Sequence, residues 1–308
     1  MSAVFSKNSA MKFRDQVLGT DKETVGAKMA QHLADHFNSF NGLQHRRNDE
    51  EIENILLRQM EHDIELISTK PTYPTDIPKF NPSGASKCNL ELFQISLGVE
   101  QVHDDKFPYH DRWTRNATAV HEATQRDLLY AQKYLPNPKF TVEMVEELDL
   151  PAWEQNILKW QVFEHKGQKF VINGMMDGIL KYVPENKRIG FEFKTKSTTI
   201  GQVGHYKMKD IQEAHKMQAV AYSLLFGLDE FVFMYESLAK DGWTKGAEAK
   251  PDIRTFYIHV TEEMRQELLD KFAYVSMCIE QGIEPAEELD KCFFCGFKYI
   301  CHEGGEVK

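Results

Sequence analysis

A chain of 308 residues, 42% apolar and 27% charged, has enough apolar surface for a sizeable core and no composition bias towards a fibre or a disordered tail. Its formal net charge of −10 excludes a uniformly basic nucleic-acid coat, and its longest apolar runs, such as "AVAYSLLFGL", are about half of a bilayer crossing. The opening "MSAVFSKNSAMKFRDQ" lacks the apolar stretch of a secretion signal, so a cytoplasmic protein without a membrane partner is expected, in a bacterium or in the host of a virus.

Residues 20 to 67 read as helical. Val25, Met29, Leu33 and Phe37 recur four apart, and Ile52, Leu56, Met60 and Ile64 do the same. In "STKPTYPTDIPKFNPSGAS", four prolines (Pro71, Pro74, Pro78, Pro82) break any helix, which divides a helical region, 1–79, from a second unit, 80–308. A third helix is expected over "TRNATAVHEATQRDLLYAQKYL", stopping at the prolines of "PNPK". The period then changes: "QKFVINGMMDGILKYV" and "RIGFEFKTK" read as strands joined by a hairpin at "PENK". A helix over "DIQEAHKMQAVAYSLLFGL", with Gly227 suited to end it, precedes two strands, "EFVFMYES" and "DIRTFYIHV". The last long helix opens at Thr261, where Glu262 and Glu263 complement its dipole. The order implies a mixed α/β fold, a mixed sheet flanked by helices.

Charge is locally reversed. Between 186 and 216 seven basic residues (Lys187, Arg188, Lys194, Lys196, Lys207, Lys209, Lys216) face three acidic ones. That reads as a solvated face or as a phosphate-binding cluster. Within it, Glu192 and Lys194 lie two apart on a strand, so they project together while Phe191 and Phe193 face the core. Folding the hairpin brings Asp177 towards Glu192, and two converging carboxylates make an oxygen-rich site for Mg²⁺ or Mn²⁺. A lysine beside them can stabilise charge on a phosphate. The plain alternative is a strand with charges on its wet face and an Asp-Gly turn. Gln218 and Tyr222 are four apart, sharing one helix face.

In this order, Gly174-x-x-Asp177, Glu192-Phe193-Lys194 and a helical Gln218-x-x-x-Tyr222, the chain resembles the RecB-like branch of the PD-(D/E)xK nuclease superfamily. The resemblance implies a restriction-endonuclease-like sheet and metal binding by Asp177, Glu192 and the Phe193 carbonyl. It implies catalysis by Lys194, with Gln218 and Tyr222 organising the site and contacting DNA. The family's helical histidine ligand is matched by His121, on the stripe Ala117, His121, Thr124, Leu128 and Ala131; a histidine on such a face is otherwise a core residue.

Five cysteines are too few for a secreted disulfide scaffold. Cys292-x2-Cys295-x5-Cys301 has the spacing of a metal clip lacking a fourth ligand, for which Cys88 and His302 are the candidates. By itself the trio suits structural zinc. With Cys88 ahead of the nuclease motifs it resembles the iron–sulfur RecB-like nucleases, the AddB and CRISPR-adaptation exonuclease type, whose four cysteines hold a 4Fe-4S cluster. The segment "FNPSGASKC" is similar to theirs, although Asn89 stands where their proline follows. Such a clip closes a very long loop, worth about 5 kcal/mol in the chain-entropy picture. Cys278, among Phe272, Val275 and Ile279, reads as a small core residue.

The expected function is therefore a Mg²⁺- or Mn²⁺-dependent DNA exonuclease. Its alternatives are a catalytically silent DNA-binding or scaffold module and a structure- or sequence-specific endonuclease. Two basic–aromatic segments are candidates for gripping a single strand: "GHYKMK" (His205, Tyr206, Lys207, Lys209) and "RWTR" (Arg112, Trp113, Arg115) just ahead of the His121 helix, with Lys196 near the site. Either is equally an ordinary surface loop. No G-x-x-x-x-G-K-[ST] motif is present, so a helicase or another recombination protein would be a separate partner.

Overall fold

The computed structural model describes residues 25–44, 48–69, 71–102, 105–288, 290–291 and 295–301, with residues 300 and 301 described by backbone only. Helix α1, residues 25–41, buries Met29, Leu33, Phe37 and Phe40, as its four-residue period requires. Helix α2, Glu50–Ile67, starts where the Asp49 carboxylate accepts the Ile52 N–H at 3.1 Å. Its stripe is not a core stripe: Ile52 is buried, whereas Met60 and Ile64 are 63% and 62% exposed. Periodicity sets which side chains share a face; a covering neighbour decides whether that face is dry.

Strand β1, Lys79–Phe80, and a short 3₁₀ turn, Pro82–Gly84, interrupt the proline-rich stretch. Helix α3, Asn89–Ser96, has no counterpart in the sequence reading; the Cys88 sulfur caps it by accepting the Glu91 N–H at 3.2 Å. Helix α4, Pro108–Tyr134, begins earlier than expected, with Pro108 at its first position. Arg112, Trp113 and Arg115 therefore belong to the His121 helix and do not form a loop ahead of it.

Strands β2 (Phe140–Val142), β3 (Met144–Val145) and β4 (Leu150–Pro151) precede a hairpin of β5 (Lys159–His165) and β6 (Gln168–Gly174). Lys166 and Gly167 turn that hairpin at φ 51° and 78°. The apolar run expected as one strand is two: β6 ends at Gly174, and β7, Gly178–Tyr182, begins in another sheet. Strand β8, Lys187–Lys196, follows a turn in which Asn186 takes the left-handed conformation at φ 53°. Helix α5, Glu213–Phe226, ends at Gly227, and β9, Glu230–Ser237, and β10, Ile253–His259, precede α6, Glu262–Gln281. The short α7 is Lys298–Cys301.

The main sheet has the order β10-β9-β8-β7-β2, in which β8 and β9 are parallel and the other pairs antiparallel. Parallel neighbours need a crossover, and α5 supplies it. A second sheet, β1-β6-β5, has β1 parallel to β6. On one face of the main sheet Tyr182, Phe191, Phe193 and Met234 pack with α1, Ile52 of α2 and the buried half of α4. On the other, Phe231, Phe233 and Tyr235 pack with α5, α6 and residues of the second sheet. Strand β8 is thus covered on both faces, and its end meets the site. Among the described residues no helix is long and apolar enough to cross a membrane.

Candidate active site

The pairing of β7 with β8 ends at Gly178 opposite Phe191, leaving the last turns of β8 without a β7 partner. Asp177, immediately before β7, takes up the next backbone donor: its Oδ2 accepts the Phe193 N–H at 2.7 Å. Gln125 of α4 donates to the Asp177 carbonyl at 3.2 Å, fixing the same residue from the other side. The glycine of Gly174-x-x-Asp177 has a steric reason. A Cβ there would stand 2.5 Å from Pro82 Cγ and 3.4 Å from Tyr222, so this residue lets three segments close on one another.

Glu192 is fully buried, contrary to a strand with a wet face. Its Oε2 lies 2.5 Å from Lys194 Nζ, and that ammonium is 3.8 Å from Asp177 Oδ2. Burial, and then the Asp177 charge, push the Glu192 carboxyl up to about 7 against the pull of Lys194. Burial works against the Lys194 ammonium, yet Glu192 and Asp177 outweigh it and hold its pKa above the ordinary lysine value. Tyr222, raised chiefly by burial and then by Glu192, accepts the Gln218 amide at 2.8 Å. The two partners of this helix pair are four residues apart, and Tyr222 faces the acid.

His121 reaches the group from α4. Its Nε2 lies 3.6 Å from Asp177 Oδ1 and its Nδ1 lies 3.5 Å from Glu154 Oε1, while its ring tilts over Phe193 at 5.7 Å. Glu154 is a site residue that sequence reasoning missed. It sits at φ 44°, and burial raises its carboxyl, with Asp177 adding to the rise and His121 opposing it. It lies in an irregular stretch with no period and no motif, so nothing local marks it. His215 of α5 was also passed over: it contacts the Tyr235 hydroxyl at 2.7 Å and is pushed down to about 4 by burial and by Lys194 and Lys196, hence neutral at pH 7.

Of these side chains His121, Lys194 and His215 line a cleft of about 320 Å³, together with Thr114, Ala117, Thr118, Phe193, Thr195 and Lys196. The other expected DNA contacts are placed unevenly. Lys196 lines the cleft and donates to Gln212 at 2.9 Å. Arg112 and Arg115 are exposed on the first turns of α4. His205 pairs with Arg254 at 2.6 Å, and Tyr206, Lys207 and Lys209 are exposed around the buried Met208; none of these four lines the cleft.

Among the described residues, no three His, Cys, Asp or Glu side chains close around a point as a metal cage does. The Lys194 ammonium stands between the two carboxylates and balances them. The donors nonetheless suit a hard divalent cation in kind, being carboxylate oxygens and an imidazole nitrogen. Two of them, Glu192 Oε1 and His121 Nε2, are buried without a hydrogen-bond partner, a costly state that a cation relieves.

Of the expected clip, Cys88 and Cys295 are buried; Cys292, the Cys301 side chain and His302 lie outside the described residues. The segments carrying Cys88 and Cys295 are neighbours. The Asn89 N–H donates to Glu288 at 2.9 Å, Val102 N–H to the Gly296 carbonyl at 2.9 Å, and the Tyr299 hydroxyl to the Glu100 carbonyl at 3.0 Å. Cys278 is buried in the core.

No protein-family model matches the chain, and no curated protein matches it at a significant level. Among solved structures it is similar to the protein designated SSO0001, 14% identical with a TM-score of 0.43 over 81% of this chain and 96% of that one. An alkaline exonuclease from Laribacter hongkongensis is 12% identical, TM-score 0.39, over 68% of this chain and 91% of its own. A phage-related exonuclease from Haemophilus somnus is 20% identical, TM-score 0.26, over 40% and 60%. Likenesses this distant leave function to be read from the site.

Proposed function

We propose that the protein is a divalent-metal-dependent deoxyribonuclease that cuts phosphodiester bonds from DNA ends or single strands. One observation carries this reading: His121, Asp177, Glu192 and Lys194, from three separate elements, meet beside one open cleft. His121, Asp177, Glu192 and the Phe193 carbonyl would hold Mg²⁺ or Mn²⁺. When bound, such an ion polarises the phosphodiester and makes a water more acidic.

The chain's own contributions follow from its contacts. Asp177 fixes the Phe193 peptide, and so the direction of its carbonyl. Glu154, beside Nδ1, favours the His121 tautomer that leaves Nε2 a lone pair towards Asp177. Lys194 stays protonated between its acids and offers an ammonium to charge developing on the phosphate. Tyr222, itself held by the Gln218 amide, stands behind Glu192. Cys88, Cys292, Cys295 and Cys301 are assigned to a 4Fe-4S cluster, with zinc as the alternative, joining the neighbouring segments described above; a visible absorption shoulder in anaerobically purified protein separates the two metals. A helicase or another recombination protein is the partner expected of such a chain.

Labelled single-stranded DNA incubated with Mn²⁺ tests the assignment. Wild type shortens it from an end and leaves circular plasmid intact, whereas Lys194→Ala does not cut. Equal cutting by both removes Lys194 from catalysis, and plasmid cleavage makes the enzyme an endonuclease. Stoichiometric binding without turnover makes the chain a silent module.

A further inference from the structure

The outer half of α4 holds a group of side chains that the proposed chemistry leaves unused. Phe107, Tyr109 and Trp113 are 53%, 45% and 47% exposed. Their rings are clustered: Phe107 and Tyr109 lie 6.0 Å apart at 6°, and Tyr109 meets His110 at 4.1 Å and the edge of Trp113 at 5.4 Å. His110 is held by the backbone, since its Nδ1 accepts the Phe107 N–H at 3.1 Å. Exposed aromatic surface gathered in this way marks a place of contact.

Helical spacing joins the rings to the cleft. Tyr109, Trp113, Ala117 and His121 succeed one another four residues apart, a stripe that winds slowly around the helix. Its middle is small: Ala117, with Thr114 and Thr118 beside it, forms one wall of the cleft that ends at His121. From Trp113 to His121 the helix rises about 12 Å, which matches three to four bases stacked about 3.4 Å apart. Arg112 and Arg115 flank the stripe without an acidic partner among the described residues, and Lys194 and Lys196 line its far end. Rings for base faces and cations for phosphates, in one line, are the two components of a single-strand grip.

We propose that this stripe is a stacking track, on which bases of single-stranded DNA rest against Tyr109 and Trp113 while the backbone runs into the cleft at His121. The destination rests on the nuclease reading; the grip does not. Bases in a duplex have their faces covered, so the track selects an unpaired strand. Because every base has a π face, it does so without regard to sequence.

Binding is measured in EDTA, which removes cutting from the readout, by anisotropy of a labelled oligothymidylate and of an abasic deoxyribose-phosphate chain of equal length. The Tyr109→Ala/Trp113→Ala double variant is expected to bind oligothymidylate about tenfold or more weakly, and the abasic chain within about twofold of wild type. Trp113→Phe, which keeps a ring, retains most of the affinity and loses part of the tryptophan quenching that accompanies binding. A double variant that binds oligothymidylate like wild type, or loses both oligomers equally, overturns the track, as does wild type that binds neither; a protein partner would then own the aromatic surface. Cutting with Mn²⁺ by a double variant whose binding is unchanged sinks the track alone. A wild type that grips through Trp113 yet never cuts sinks the nuclease reading alone.

Discussion

The two halves of α4 share one helix and divide its labour. Towards its end, Thr124, Gln125, Leu128, Leu129, Tyr130 and Ala131 are buried, and the rim is tied to α2: Tyr130 and Arg126 reach Glu53, and Lys133 and Tyr134 reach Asp49 at 2.7 and 2.6 Å. Towards its start the side chains stand in solvent, and among the described residues the rings of the aromatic cluster stack only on one another. His121 sits at the junction. A ligand can be held to fractions of an ångström when the half of the element behind it is locked in a core, leaving the half in front available to a substrate.

That division can be broken from either side. The largest effect belongs to the site: Lys194→Ala should lower cleavage about 10²- to 10³-fold, measured under single-turnover conditions with Mn²⁺. The variant should still fold, because Glu192, already pushed up to about 7 and freed from the opposing pull of Lys194, takes a proton. Unfolding of this variant at neutral pH would show that the ion pair holds the fold as well as the chemistry.

Leu129→Ala, in the locked half, should cost about 3 kcal/mol in urea denaturation while folded molecules bind oligonucleotide unchanged. Loss of binding at full folding would mean the two halves are not separable.

A similar cost appears with acid. His36 of α1 is buried against Phe140, has no hydrogen-bond partner on either ring nitrogen among the described residues, and is pushed down to about 4 by burial. The unfolded chain binds its proton near 6.5, so this stabilisation is complete above that pH and is lost as pH falls towards 4, about 3 kcal/mol in all. His36→Phe should flatten that part of the stability–pH curve; an unchanged slope would place the acid sensitivity elsewhere. The smallest effect is expected at the rim. Arg126→Ala, which removes the half-exposed pair with Glu53, should cost at most about 1 kcal/mol, and less in high salt.

What the sequence makes legible follows from what is local. Glu192 and Lys194 share a strand face because residues two apart always do, and Gln218 and Tyr222 share a helix face for the corresponding reason. The β7–β8 hairpin, the glycine end of α5 and the Thr261 start of α6 were readable in the same way. Other features depend on neighbours. Helix α3 is buried on nearly every side, Leu90 to Gln94 in succession, so it shows no amphipathic period. The break between β6 and β7 is hidden because Met176, in the connection, is itself fully buried and continues the apolar run. Glu154 arrives through a left-handed kink, and Met60 and Ile64 are exposed because no element among the described residues covers them.

One missing carbon has reach. Gly174 lets Pro82 and Tyr222 approach through the space a side chain would fill, and Pro82 opens the 3₁₀ turn that leads to Cys88. The segment leading to the Cys88 thiol and the tyrosine behind the buried acid therefore close on the same glycine, so that any side chain placed at Gly174 would have to displace the first and press against the second.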